Sequence, residues 1–224
     1  MPRKSNSVRL AQRATSTDVD GLRERGKNAR IARIIEAACA ILRADGAHAL
    51  TVARIAEQAE VSQGTVFNLV GTRDEIWAAI AEQSFARIEL AGFRSVEDPQ
   101  IRARAIIDAV VTMICSDAKV FRPLLLNWEL SSHVSNAEPT PELLRCLQDA
   151  QAGGVIQDQV HLRRLAQQIT TGFIGAMHQW AARVITDATF RLRTRDFVDL
   201  VFMAARRDDH PAAVAWHFGT ARRQ

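Results

Sequence analysis

The amino-acid sequence predicts an all-α protein built from two helical parts. Apolar residues recur three and four positions apart through most of the 224 residues, as Ile31, Ile34 and Ile35 do, and this spacing is typical of one helix face. Gly and Pro separate these periodic segments, and Ser, Thr or Asp stands before several of them as a helix cap. The hydrophobic content of 47% is ordinary for a globular chain, so we expect a substantial core.

The first two helices follow from these signals. A helix is predicted from Asn28, with its apolar face turned inward, and Gly46 supplies its C-terminal stop. Thr51 is placed to N-cap a short second helix, which ends by Val61.

The third and fourth helices are marked by their own caps. Ser62 begins a short helix that runs to about Leu69, and Gly71 breaks it. Residues 72–75 read Thr-Arg-Asp-Glu, a capping box, and we expect a fourth helix from there to about Ala91.

Helices are also predicted through the rest of the chain. Asp98 and Pro99 form an N-cap and first turn, and Phe121-Arg-Pro123 opens a further helix. Another begins at Thr140-Pro-Glu and ends at Gly153-Gly154.

Two late helices carry apolar stripes. From Leu162 the stripe consists of Leu165, Ile169, Phe173, Ala176, Met177, Trp180 and Val184, and Gly172 and Gly175 allow another helix to approach closely. From Thr194 it consists of Phe197, Leu200, Val201 and Ala204. Periodicity alone leaves two interpretations open, an intramolecular core or a subunit interface.

Positive charge is concentrated at the start of the chain. Residues 1–35 hold nine Lys or Arg against three Asp or Glu, a net charge of +6, whereas the whole chain carries +4. This asymmetry suggests a polyanionic partner, either nucleic acid or an anionic membrane surface. For residues 1–26 a solvated, flexible tail is the alternative.

Other functional classes are disfavoured by what the sequence contains. Cys39, Cys115 and Cys146 are odd in number and widely separated, which argues against a disulfide framework and a cysteine zinc site. The N-terminus lacks the apolar stretch of a secretory signal, and no apolar run approaches the length of a spanning helix. We therefore expect a cytoplasmic protein with no metal, no cofactor and no membrane partner.

The second and third helices, joined by a short turn and preceded by a longer helix, suggest a helix-turn-helix. A recognition helix must bury one face against its scaffold and present small or polar side chains to DNA. Val66 and Val70 suit the first requirement. The second is met by Gln63, Gly64, Thr65 and Asn68. From these residues alone, a plain structural turn with no DNA-binding role remains an equal alternative.

The run from Ile34 to Ile80 resembles the DNA-binding domain of the TetR family of bacterial transcriptional regulators. The elements that carry the resemblance are IIEAACAIL, DGAHALTVARIAEQAEVS and QGTVFNLVGTRDEIW. The resemblance implies an N-terminal three-helix helix-turn-helix domain, residues 27–75, and a C-terminal helical ligand-binding and dimerisation domain, residues 76–224. In that family the final helices pair across a two-fold axis as a four-helix bundle.

The resemblance also implies roles for individual residues. Thr51 approaches a phosphate, Gln63 is the candidate for a base edge, and Thr65 contacts a base or a phosphate. Gln pairs most characteristically with adenine in the major groove. The remaining implied DNA contacts are Gly64, Phe67, Asn68 and Arg73, the last as a phosphate clamp.

Three residues depart from the family pattern. Glu60 stands where the family usually has Gly in the turn, so either the backbone avoids a positive φ or some strain is tolerated. Phe67 replaces a Tyr and lacks its hydroxyl, and Val70 replaces a larger Phe.

Catalytic motifs are missing from the sequence: the histidines have no metal-site spacing, and no Gly-rich phosphate loop, GxSxG or HExxH occurs. We therefore expect no enzymatic activity. An apolar effector cavity among the middle helices is expected instead. Its candidate lining residues are Met113, Phe121, Trp128, Phe173, Met177, His178 and Trp180.

The sequence thus predicts a homodimeric regulator of transcription that binds a double-stranded DNA operator. The resemblance implies a repressor that an unknown small-molecule effector releases from DNA. The alternative is an effector-independent DNA-organising or protein-interaction factor whose C-terminal domain only dimerises.

Overall fold

The computed structural model describes residues 6–126 and 141–207, including every side chain in these ranges except those of residues 6–22 and Ala91. These residues form α-helices joined by turns, two of which are short 3-10 helices at Ala47–Ala49 and Leu90–Ser95. The α-helices are α1 Asn6–Asp45, α2 Val52–Gln58, α3 Gln63–Leu69, α4 Arg73–Ala86, α5 Pro99–Ser116, α6 Ala118–Leu126, α7 Pro141–Ala152, α8 Leu162–Ala181 and α9 Asp187–Ala205. The predicted all-α class is confirmed.

The described residues divide into two compact units. The first contains residues 6–88 and 113–126, and the second contains residues 89–112 and 141–207. None of the helices in the described ranges is long and apolar enough to cross a lipid bilayer.

In the first unit, α1 is the element on which the others pack. It contacts α2, α3, α4 and α6. Its inward face carries Ile34, Ala38, Ile41 and Leu42, and the neighbouring helices add Ile55, Val66, Ile76, Trp77 and Ile80. Because these side chains are all almost fully buried, the short helices α2 and α3 are held by α1 rather than by their own hydrogen bonds.

Helix α1 begins at Asn6 and is 40 residues long, whereas the sequence predicted a start at Asn28 and a flexible tail before it. The prediction depended on an apolar stripe, and residues 6–27 have none. No proline interrupts this segment, so every residue in it can take part in helical backbone hydrogen bonds. At its other end α1 stops as predicted, because Gly46 has φ 80°.

Helix α6 starts earlier than predicted, at Ala118 instead of Phe121, so Pro123 lies inside it. A proline removes one hydrogen-bond donor from the helix interior. The burial of Val120, Leu124 and Leu125 offsets this loss. Helix α4 also differs from the prediction, since it ends at Ala86 rather than near Ala91.

Helix α6 is joined to α1 by polar contacts as well. Arg43 forms an ion pair with Asp117, with Nη2 and Oδ2 2.8 Å apart, and Lys119 Nζ donates to the Arg43 carbonyl at 3.0 Å. These contacts place residues 113–126 in the same unit as the helix-turn-helix, a larger unit than the predicted domain of residues 27–75.

In the second unit, α8 packs against α7 and α9. The indole of Trp180 is fully buried, stacks on Phe190 with the ring centroids 5.7 Å apart, and donates from Nε1 to Asp187 at 2.7 Å. Gly172 is required where α8 meets α9, because a Cβ there would overlap with the ring of Phe197. Gly175 has open space around it, so its predicted role in close packing is not seen within the described residues.

Candidate nucleic-acid interface

The turn between α2 and α3 is a Schellman motif with Glu60 in the left-handed position. Glu60 has φ 54°, its N–H bonds to the Glu57 carbonyl at 3.1 Å, and the Val61 N–H bonds to the Ala56 carbonyl at 2.9 Å. Glycine is the usual residue at this position because it has no Cβ. Of the two alternatives for Glu60, the structure contains the strained one.

The start of α3 is capped by Ser62, as predicted. Ser62 Oγ accepts from the Thr65 N–H at 3.1 Å and lies 2.8 Å from Thr65 Oγ1. Gln63 and Gly64 follow the cap and are exposed, whereas Thr65 is half-buried. Because N–H groups in the first turn of a helix have no intrahelical partner, this end of α3 favours an anion as well as a base edge.

The two faces of α3 differ in the way the helix-turn-helix interpretation requires. Val66 is completely buried, and Val70 is half-buried rather than fully buried as expected. Phe67 is 50% exposed and Asn68 is exposed, so both lie on the solvent side of α3. An aromatic ring left half in water at this position is available for contact with a partner.

The start of α2 presents a second exposed hydroxyl. Thr51 Oγ1 accepts from the Arg54 N–H at 3.3 Å, and this bond makes Thr51 the N-cap. A hydroxyl that accepts one bond still has its own proton to donate, and a phosphate oxygen would accept it. Arg54 itself is paired with Asp45, with Nη2 and Oδ2 2.6 Å apart.

The start of α4 is fixed by a complete capping box. Thr72 Oγ1 accepts from the Glu75 N–H at 3.4 Å, and Glu75 Oε2 accepts from the Thr72 N–H at 2.6 Å. The hydrogen bonds from the Thr72 backbone and side chain hold the pKa of the Glu75 carboxyl below its usual range. Gly71, with φ 109°, makes room for this carboxylate, which a Cβ at residue 71 would overlap.

The guanidinium of Arg73 is exposed but has a structural partner that the sequence did not reveal. Its Nη2 donates to the carbonyl of Ala47 at 3.1 Å, which ties the start of α4 to the turn after α1. An arginine has five donors, so this bond leaves others for a phosphate. Ala47 is 26 positions from Arg73 in the sequence, so no local sequence pattern predicts this hydrogen bond.

Positive charge near the interface comes from α1 rather than from α3. Residues 61–71 contain no charged side chain, whereas α1 exposes Arg23, Lys27, Arg30 and Arg33. The ion pair of Lys27 with Glu24 is long, with Nζ and Oε1 3.7 Å apart. The geometry therefore separates uncharged groups suited to reading bases from cationic groups suited to contacting phosphates.

The seven residues expected around an effector are not brought together within either unit. Met113 and Phe121 lie in the first unit, and Trp128 lies outside the described residues. The other four, on α8, are Phe173, Met177, His178 and Trp180.

The α8 residues differ in exposure. Met177 and Trp180 are almost fully buried and fill the core, while Phe173 and His178 are half-buried. His178 Nδ1 lies 2.9 Å from the Ile174 carbonyl. A cleft of about 230 Å³ on α8 and α9 is lined by other residues, among them Gly172, Gly175 and Phe197. The effector role of the seven residues stays a prediction.

Comparison with known proteins agrees with this geometry. Residues 34–80 match the family model described as bacterial regulatory proteins, tetR family. These residues extend from the buried face of α1 to Ile80 in α4 and include the whole helix-turn-helix. No curated protein is significantly similar to the chain in sequence.

Three solved structures illustrate the similarity in fold. FadR of Thermus thermophilus, a TetR-family repressor solved with lauroyl-CoA, is 18% identical with a TM-score of 0.61, covering 83% of this chain and 100% of that one. A TetR regulator from Rhodococcus sp. RHA1 is 15% identical with a TM-score of 0.56, covering 79% and 97%. The fatty acid degradation regulator FadR from Bacillus halodurans is 17% identical with a TM-score of 0.55, covering 77% and 94%.

Proposed function

Because this chain belongs to the TetR family of bacterial transcriptional regulators, a family of DNA-binding proteins and not of enzymes, we propose that it is a repressor that a small molecule releases from its operator. One observation carries the DNA-reading part of the proposal: α3 is uncharged, capped, anchored by Val66 and exposed at Gln63 and Gly64. This combination suits insertion into the major groove.

We assign different roles to the exposed polar groups. Gln63 reads a base edge, while Thr51 and Arg73 contact phosphates; Gly64, Thr65, Phe67 and Asn68 complete the surface. Substitution at a base contact changes sequence preference, whereas substitution at a phosphate contact weakens binding to all sequences and lowers its salt dependence.

These roles are tested by selecting bound duplexes from random DNA with wild type, Gln63→Ala and Arg73→Ala. We expect Gln63→Ala to relax the selected sequence and Arg73→Ala to leave it unchanged while reducing the salt slope by about one. Arg87→Ala is the matched charge control, because Arg87 lies one helix length, roughly 20 Å, along α4. An unchanged binding profile for Gln63→Ala would disprove its base-reading role.

The exposed basic side chains of α1 support a further phosphate contact outside the helix-turn-helix. Replacing Arg23, Lys27 and Arg30 with Gln should reduce the salt slope by up to about three. The selected operator sequence should stay the same, because phosphate contacts carry no direct sequence information. An unchanged salt slope would show that this part of α1 stays away from DNA.

Dimerisation through α9 is supported by apolar side chains left in water. Leu192, Leu200 and Met203 are 58%, 41% and 49% exposed, and their spacing places them on one face of α9. A two-fold dimer brings two recognition helices about 34 to 36 Å apart, the spacing of successive major grooves. Sedimentation of wild type and Leu200→Asp tests this assignment. A wild type that stays monomeric at micromolar concentration would refute it.

The effector part of the proposal is supported by the T. thermophilus relative, a repressor solved in complex with lauroyl-CoA. In this chain, an effector in the C-terminal helical domain would displace α4 and change the spacing of the recognition helices. Screening small molecules for release of the selected operator tests this mechanism. A dimer that no compound releases would favour the effector-independent alternative.

A further inference from the structure

A small cavity in the second unit combines cationic and apolar walls. It has a volume of about 10 Å³ and lies among the Leu90–Ser95 turn, α5 and α7. Its lining residues, which we call the arginine pocket, are Leu90, Phe93, Arg94, Arg102, Ile106, Glu142 and Arg145. None of the described residues that were expected around an effector belongs to it.

Arg102 is the most unusual member of the arginine pocket. The residue is only 9% exposed, and its Nη2 pairs with Asp149 Oδ2 at 2.8 Å. Its Nε–H is buried and has no hydrogen-bond acceptor among the described residues. A buried, unsatisfied donor on a charged group is costly, so an acceptor that the described residues do not supply would offset this cost.

The other arginines leave the pocket with excess positive charge. Among the described residues, Arg94 forms only a long ion pair with Glu142, with Nη2 and Oε1 3.8 Å apart, and its side chain is 56% exposed. Arg145 is half-buried and makes no hydrogen bond or ion pair with any described residue. Among the described residues, three guanidinium groups are therefore balanced by two carboxylates, those of Glu142 and Asp149.

The size of the cavity limits what its deep end can hold. A volume of about 10 Å³ has room for roughly one water-sized atom. One oxygen of a carboxylate or phosphate fits there, and the rest of such a group would extend toward the exposed Arg94. The half-buried Leu90 and Phe93 offer an apolar surface beside it.

We propose that the arginine pocket binds the oxyanion end of an amphipathic ligand. One ligand oxygen accepts from Arg102 Nε, the others contact Arg145 and Arg94, and the apolar body lies against Leu90 and Phe93. Charge-assisted hydrogen bonds to guanidinium groups give such a group both affinity and orientation. As the site of the effector, this assignment rests on the proposed function; as a binding site, it is independent of DNA.

The test is calorimetric titration of the full-length protein without DNA at constant ionic strength. The probes are octanoate, octyl phosphate, inorganic phosphate and the neutral octanol. We expect saturable binding of octanoate, octyl phosphate or both, and none of octanol; the tighter of the two identifies the ligand as a carboxylate or a phosphate.

Three variants locate the binding. Arg145→Gln should lower the affinity for the bound probe about tenfold or more, since it removes a charge-assisted contact. Arg94→Gln, a change at an exposed side chain that should not affect folding, should weaken it in the same direction. Arg164→Gln, at an exposed arginine on α8, makes the same change in charge and should leave binding unchanged.

The proposal is overturned if neither octyl probe binds, in which case a single water satisfies Arg102, or if Arg145→Gln and Arg94→Gln bind as tightly as wild type. If inorganic phosphate binds with the same affinity as octyl phosphate, the apolar part of the assignment is wrong. If octanol binds with the same affinity as octanoate, the oxyanion part is wrong. The proposed function is measured separately, by release of the operator. Binding without release would retain the pocket and refute its role as the effector site.

Discussion

The left-handed backbone at Glu60 makes a quantitative prediction about the helix-turn-helix. Glu60 has φ 54° in the Schellman turn after α2, where a residue with a Cβ costs about 1 to 2 kcal/mol. Glycine removes this strain, although its greater freedom in the unfolded chain costs about 0.5 to 1 kcal/mol. Glu60→Gly should therefore be more stable than Glu60→Ala by about 0.5 to 1 kcal/mol.

The comparison with Glu60→Ala separates backbone strain from the loss of the carboxylate, because both variants remove the charge. The matched control is the same pair of substitutions at Glu57, an exposed residue inside α2. There the Gly variant should be less stable than the Ala variant by up to about 1 kcal/mol, since glycine is a poor helix former. The Gly variant is thus expected to be more stable than the Ala variant at residue 60 and less stable at residue 57, three positions earlier.

The assay is thermal and chemical unfolding of the full-length variants at equal protein concentration. For a chain of this size, the difference between Glu60→Gly and Glu60→Ala corresponds to about 1 to 4 °C in Tm. Arg183, with φ 61° in the turn after α8, provides an independent case, and Arg183→Gly should likewise be more stable to unfolding than Arg183→Ala. Equal stability of the two Glu60 variants would refute the strain argument.

Three further predictions follow from local geometry. Gly71→Ala should lower stability by about 1 to 3 kcal/mol in chemical unfolding, because it combines a disallowed φ with an overlap on the Glu75 carboxylate. The pKa of Glu75 is lowered in the folded state, so its carboxylate stabilises the fold fully above the ordinary glutamate pKa, and this stabilisation is lost as the pH falls through the lowered value. The difference in the free energy of unfolding between wild type and Glu75→Gln should therefore shrink in acid. A constant difference would contradict the capping box. Gly172→Ala should cost about 1 to 3 kcal/mol through overlap with Phe197, whereas Gly175→Ala, in open space on the same helix, should be neutral or stabilising by up to about 1 kcal/mol. Equal effects of the two substitutions would contradict the described packing of α8 on α9.

The sequence by itself determined the fold class and the caps of the short N-terminal helices. Thr51, Ser62 and Thr72 cap the helices they were predicted to cap, and Gly46 and Gly154 adopt the positive φ that ends a helix. Each of these features depends on a side chain or a φ angle within about four residues of the helix end, so the information is local.

Only the tertiary structure decided which helix faces meet and which groups are left without partners. The sequence could not place α6 on α1 through Arg43 and Asp117, because those residues are 74 positions apart. Nor could it tell that Trp180 fills the core while Leu200 faces water, since both lie on apolar helical stripes. Helical spacing shows that a face is apolar, but burial and hydrogen-bond satisfaction depend on what the rest of the chain brings against that face.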